Sequence, residues 1–218
     1  MKILLRIFLV SCLCLTTLLS AKDLSGEVRI GIGGLYGKRD LTPTNDVTHS
    51  GGYLSLSADS IYQRFKMGTI IDFGAGSSSR TNAPFLLYDV LFKVGLNLAS
   101  YNNPLYVNIG IATSQLYDDT RNETFRFRTI EYVAGVEGNI KAGERLRYEY
   151  SADYLYVGGG SYGGIKLDDS SSYGIRASLG FSYQLKEKLF YYVKLRAKYQ
   201  NITYTSPTIP LYPPQTIS

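Results

Sequence analysis

The stretch "LLYDVLFKVGLNL", residues 86–98, decides the fold. Leu86, Tyr88, Val90, Phe92, Val94, Leu96 and Leu98 share one parity; Leu87, Asp89, Leu91, Lys93, Gly95 and Asn97 share the other. Successive side chains of a strand point to opposite faces. A strand here therefore has one wholly apolar face and one that is largely polar or small.

The same split recurs outward from this segment. In "EVRIGIGGLYG" Val28, Ile30, Ile32 and Tyr36 oppose Arg29, Gly31 and Gly33. In "YLSLSAD" Leu54, Leu56 and Ala58 oppose Ser55, Ser57 and Asp59. "KMGTIIDFGAG" sets Met67, Ile71, Phe73 and Ala75 against Lys66, Gly68, Asp72 and Gly74. "LYVNIGIATS" sets Leu105, Val107, Ile109 and Ile111 against Tyr106, Asn108, Gly110 and Ser114. "IEYVAGVEGNI" sets Ile130, Tyr132, Ala134, Val136 and Ile140 against Glu131, Gly135, Glu137 and Asn139. Three more segments, at 145–156, 173–185 and 189–200, alternate in the same way, with Arg147, Glu149, Asp153, Arg176, Lys194, Arg196 and Lys198 on their polar faces. No stretch after Ala21 carries a convincing helical period.

This amounts to about nine strands of about 10–13 residues, where ordinary globular strands run to about five or six. A tilted strand that crosses a bilayer needs about 9–11. The connections alternate strictly: long ones fall at 38–52, 77–85, 117–125 and 158–172, short ones at 60–64, 99–104, 141–144 and 186–188. Long outer loops and short inner turns are the pattern of outer-membrane barrels. The tyrosines agree. Tyr36, Tyr88, Tyr117, Tyr156 and Tyr173 sit at the long-loop ends; Tyr62, Tyr101, Tyr183 and Tyr191 sit at or near the short-turn ends. Amphipathic rings favour the headgroup level, which predicts two aromatic girdles.

Composition fits. The 218 residues include 20 Tyr, 22 Gly and no Trp, and mean hydropathy is −0.07. That suits an all-β chain of half-apolar strands and excludes a helical membrane protein or a disordered one. Lys2 and Arg6 flank an apolar run, Ile7 to Leu19, too short to span a bilayer as a free helix. "LSA" followed by "KD" reads as a cleavage site after Ala21, so 1–21 is a signal peptide and 22–218 the barrel domain. Leu19 departs from the small residue favoured there and allows a shift of one or two positions. "LVSC" at 9–12 superficially resembles a lipoprotein box, but Arg6 leaves almost no apolar segment before it. Cys12 and Cys14 both lie in this leader, so the remaining chain has no disulfide and no cysteine-based metal site or nucleophile. Its mild positive excess does not argue for nucleic acid.

The pattern from about Leu24 to Tyr204 resembles bacterial outer-membrane β-barrel proteins of the small OmpA/OmpX-like group. The likeness rests on patterning and not on a short motif. It implies an all-β, antiparallel up-and-down transmembrane barrel, export, insertion by the barrel assembly machinery, and residence in a Gram-negative outer membrane among its lipids and lipopolysaccharide. A host or surface ligand goes unnamed.

The lumen of such a barrel would hold Arg29, Lys66, Asp72, Asp89, Lys93, Glu131, Glu137, Arg147, Glu149, Asp153, Arg176, Lys194, Arg196 and Lys198. Acids and bases nearly match, so they can pair across a narrow interior and fill it. The alternative is a small diffusion pore, with Lys194, Arg196 and Lys198 forming one basic wall and a weak anion preference. Basic loop residues, Lys38, Arg39, Arg80, Arg121 and Lys166, could meet lipopolysaccharide phosphates. With Asp168 and Asp169 they also suit an ordinary solvated loop, the simpler reading, and "GGGSYGGIKLDDSSS" reads as a surface loop. No catalytic residue, metal or cofactor is expected. The single histidine, His49, falls in the first long loop beside Ser50 and near Asp46, which leaves a lipid-modifying enzyme as a third reading. "GIGGLYG" is followed by no helix, which excludes a nucleotide loop.

The ninth strand should end near Tyr204. The stretch "SPTIPLYPPQTIS" then reads as an outer loop, since prolines do not suit a paired strand. Single-chain bacterial barrels have even strand numbers. The expectation is a ten-stranded barrel whose last strand is missing from this chain, with an eight-stranded closure and one stray strand as the alternative.

Overall fold

The computed structural model describes residues 24–41, 44–79, 84–120, 123–162, 165–166, 172–186 and 189–202. These form β1 (Leu24–Leu41), β2 (Thr44–Tyr62), β3 (Phe65–Ser78), β4 (Pro84–Asn97), β5 (Leu105–Thr120), β6 (Glu123–Lys141), β7 (Leu146–Tyr162), the two-residue β8 (Ile165–Lys166), β9 (Tyr173–Lys186) and β10 (Leu189–Asn201). The order is an antiparallel meander, β1-β2-β3-β4-β5-β6-β7-β9-β10, with β8 folded back on β7. All nine long strands belong to one sheet, and β10 pairs with β9 along its length, so none is stray. The described residues are all-β, as the alternation predicts. The expectations for the leader and for 205–218 fall outside the described residues.

The sheet curls. Ion pairs join strands that are far apart in its order: β1 to β7 through Arg29 and Glu149, β10 to β3 through Arg196 and Asp72, and β9 to β4 through Arg176 and Asp89. A flat sheet could make none of these contacts. Among the described residues β1 and β10 each pair on one side only. Their side chains still meet, because Tyr192 of β10 reaches the open space in front of Gly31 on β1, with Arg29 stacked 5.8 Å from its ring centroid. Both strands run in the same direction, so a direct backbone join between them would be parallel, whereas an antiparallel strand between them would pair with both.

The long connections are a correction. Most of 38–52 and 117–125 is strand, as is the start of 158–172. The β1–β2 and β5–β6 hairpins continue well beyond the apolar alternation because the pattern inverts there. Lower on the strands the outward face is apolar, with Val28, Ile30 and Ile32 all exposed. At the far end the inward face turns apolar, with Val47, Phe85 and Val157 buried. The outward face there carries Lys38, Ser50, Ser77, Arg126 and Arg128, all exposed. A search for outward apolar residues reads such a segment as loop, yet its inward residues pack a small core that holds the hairpins up.

The short turns are tighter. Gln63 and Arg64 alone join β2 to β3, and Gln63 takes a left-handed φ of 52°. Asn97, 2% exposed, fastens the β4–β5 connection. Its Oδ1 accepts from the amides of Ala99 and Leu105 at 3.0 and 3.1 Å.

Phe85, 1% exposed, is the largest fully buried side chain among the described residues. Phe85→Ala should cost about 3–5 kcal/mol, whereas Ser77→Ala, on the outward face of the adjacent strand, should change stability by no more than about 0.5 kcal/mol. Thermal unfolding followed by circular dichroism checks this; equal effects at both positions would count against the inverted core.

Candidate functional site

The site is the interior of the curled sheet, a cavity of about 1070 Å³ whose lining mixes charged and apolar residues. Period two delivers the charged residues to it, and glycine makes the room. Lys93 stands opposite Gly110, Lys194 opposite Gly180, and Asp153 opposite Gly135. A Cβ on Gly110 would meet the Phe92 carbonyl first and then Lys93 Cγ at 3.0 Å, and one on Gly180 the Val193 carbonyl and then Lys194 Cβ at 3.1 Å, so the neighbouring backbone and the base of the charged side chain both use the space. The small residues of the polar face are thus the beds in which long charged side chains lie.

Three linked groups of ion pairs cross the interior. In the first, Lys66 Nζ lies 3.1 Å from Asp59 Oδ2 and 2.7 Å from Glu137 Oε1. Lys93 Nζ reaches the other oxygen of Glu137 at 2.6 Å and Asp153 at 3.3 Å. In the second, Arg29 donates to Glu27 at 2.7 Å and to Glu149 at 2.6 Å, and Lys194 reaches the same Glu149 oxygen at 3.1 Å. In the third, Arg176 donates to Asp89 at 3.0 Å, while Lys198 lies 3.6 Å from Asp89 and 2.9 Å from Glu131. Arg196 grips both oxygens of Asp72 at 2.9 Å.

Glu131 is the focus of the third group. It is fully buried. Its Oε1 accepts from Thr129 Oγ1 at 2.7 Å, Lys198 Nζ at 2.9 Å and Gln200 Nε2 at 2.6 Å. Its Oε2 has no partner among the described residues. Beside these charges runs an apolar strip across neighbouring strands: Ile70, Leu91, Ala112, Val133 and Leu155.

The lumen residues expected from sequence converge in this way with one exception. Arg147 is exposed, lies 5.9 Å from the Phe190 ring centroid and stands outside the three groups. Glu27 and Asp59 were not on that list yet belong to the network, and inward parity on β1 and β2 was the available signal. The basic wall is not bare: Lys194, Arg196 and Lys198 each meet an acid from another strand.

His49 is a second correction. It lies in β2, not in a loop, and points inward, 5% exposed. Its Nε2 is 2.9 Å from Asp118 Oδ2 on β5, and Phe85 packs against its ring at a centroid distance of 5.0 Å. Ser50 is the next residue on the strand and faces outward, so it cannot join His49 in a triad. Asp46 and the side chains of Arg39 and Lys166 lie outside the described side chains, as do Arg80, Arg121, Asp168 and Asp169 altogether. Lys38 belongs to β1, not to a loop.

On the outer surface the expected tyrosines fall at two heights. Phe73 and Tyr88 pair in register with ring centroids 5.0 Å apart, Tyr132 stacks on Tyr156 at 6.3 Å, and Tyr154 on Tyr173 at 6.4 Å. Exposed Tyr36 completes this upper row on β1, and Tyr117 stands above it, half-buried. Tyr62 faces Phe65 and Tyr183 faces Tyr191 at the other end, with Tyr101 exposed in the β4–β5 connection. Phe73, Tyr132 and Tyr154 extend the upper row; cross-strand register, which the sequence does not display, is what places them. Tyr173 and Tyr183 stand near opposite ends of β9. At the usual rise and tilt their separation is about 25 Å of height.

Comparison with protein-family models, curated proteins and solved structures returns no match to this chain.

Glu131→Leu removes the nearer acid of half-buried Lys198, which keeps Asp89 at 3.6 Å, and should destabilise by about 1–3 kcal/mol, while Glu131→Leu with Lys198→Met should cost clearly less than the two single changes summed. Denaturant titration of all four proteins checks the coupling, and simple additivity would mean that the pair does not interact.

Proposed function

We propose that this chain is an integral outer-membrane β-barrel protein of a Gram-negative bacterium, with a structural or surface-interaction role and a lumen filled by ion pairs. One observation carries this reading: the polarity of the strands inverts along their length. Between the two aromatic rows the outward face is apolar, with Ile32 86% and Leu195 76% exposed, and the inward face carries the ion pairs beside the strip of Leu91, Val133 and Leu155. Beyond the upper row the outward face is polar, and inside Val47, Phe85 and Val157 are buried around the His49–Asp118 pair. In water throughout, the exposed apolar belt would have no compensation. A hydrocarbon layer about 25 Å thick between the rows, with water beyond, gives each part its proper solvent. The resemblance noted in the sequence adds lipopolysaccharide as a neighbour and the barrel assembly machinery as the route of insertion.

The role is non-catalytic on this reading. His49 and Asp118 serve the upper core, where Phe85 closes over the imidazole. Diffusion through a small pore is the second reading, supported by the cavity of about 1070 Å³ among the charges. Against it stand the cross-lumen pairs, since ions that must part Arg196 from Asp72 or Lys93 from Glu137 meet a barrier.

Two measurements test this. The purified protein should insert into lipid vesicles and migrate differently on a detergent gel before and after boiling; identical mobility would refute the barrel. In a planar bilayer it should give no steady openings, and Asp72→Ala with Arg196→Ala should create them. Steady openings from the unmodified protein would favour the pore instead.

A further inference from the structure

On the outward face of β6, Ile130 and Tyr132 give way to Arg126 and Arg128 just beyond the upper aromatic row. Both arginines are exposed. Their cross-strand neighbours are neutral. Arg126 stands opposite Tyr117, and Arg128 stands opposite Gln115 on one side and Ser161 on the other. The Arg126 guanidinium packs 4.9 Å from the Tyr117 ring centroid, which occupies its π-face and leaves its N–H edge unused. The Tyr117 hydroxyl in turn donates to Gln115 Oε1 at 2.8 Å, which steadies the ring. Among the described residues no carboxylate pairs with either arginine. Arg64, at the opposite end, differs: it donates to the carbonyl of Asn97 at the end of β4 at 3.2 Å.

We propose that Arg126 and Arg128, braced by Tyr117, bind the phosphate of a membrane lipid headgroup. This rests on the membrane reading above. Residues two apart on a strand share a face at a separation of about 6.6 Å, so two guanidinium forks can take one phosphate from both sides. Guanidinium suits this ligand because its planar donors match phosphate oxygens in pairs. The height is right as well: apolar side chains end immediately below the pair, where acyl chains would end and phosphates begin. The lysines and arginines of the ion-pair groups face the lumen and each meets an acid there, whereas this pair faces outward at the lipid boundary.

The test uses the full protein in phosphatidylcholine vesicles containing a trace of spin-labelled phosphatidic acid or spin-labelled phosphatidylcholine. Electron spin resonance reads the fraction of each lipid immobilised by the protein. The unmodified protein should prefer the phosphate monoester by about fivefold or more, with the preference falling at high salt. Arg126→Gln with Arg128→Gln should abolish it, and Arg64→Gln should leave it intact. A doubly substituted protein that inserts and keeps the preference overturns the proposal. So does loss of the preference in millimolar inorganic phosphate, which would mark a site for a free anion. If the unmodified protein does not insert at all, the membrane reading fails, and that outcome is separate from equal lipid preference in an inserted protein.

Discussion

Lys93 carries its ammonium into the middle of a curled sheet, where Glu137 and Asp153 receive it from two other strands. The rest of the molecule depends on pairs of this kind. Placing a charge away from bulk water costs several kcal/mol, and only a close partner of opposite sign offsets it. Neighbouring strands cannot supply all the partners, because acids and bases that face one another in register are few. Partners come instead from across the interior, which requires the sheet to curl to a particular radius and register. A slip of one residue would turn every one of these charges to the outside and every outward Leu, Ile and Val inward. The charged lumen is therefore weak evidence for stability, but strong specification of register.

Glycine supports the same arrangement from below. Gly110, Gly135 and Gly180 lie directly opposite Lys93, Asp153 and Lys194. Each removes a side chain where the neighbouring strand and the base of its charged residue approach closely. What reads in the sequence as a small, undemanding face is a packing solution, with large and small residues alternating between adjacent strands so that a narrow interior fills without overcrowding.

Much of this was legible. Alternation alone identified the nine strands, their inward faces and nearly all the residues that now form ion pairs, because period two is a local property. Three things were hidden for physical reasons. The upper hairpins looked like loops because their apolar residues face in, and a reader following outward apolar residues loses the strand at Tyr36 or Tyr117. His49 looked like a loop residue for the same reason, and its partner Asp118 is 69 positions away, a distance only the sheet's register can bridge. Arg147 has the right parity and still misses the network, because it lies low on its strand beside Phe190, where the interior opens.

The inversion of polarity also bears on how the two halves of the curled sheet hold each other. Below the upper aromatic row the inside is held by the ion pairs together with the strip of Leu91, Ala112, Val133 and Leu155. Above it the inside is held by Val47, Phe85, Val157 and their neighbours, whose packing depends on water outside. The apolar layer covers one end of the charged one and limits the approach of water to Glu131 and Asp89. The charges, in turn, fix the register from which Phe85 and Asp118 are aimed at His49. Neither layer is a complete core by itself. An environment that is apolar around the lower half and aqueous around the upper half satisfies both, and a uniform solvent of either kind satisfies only one.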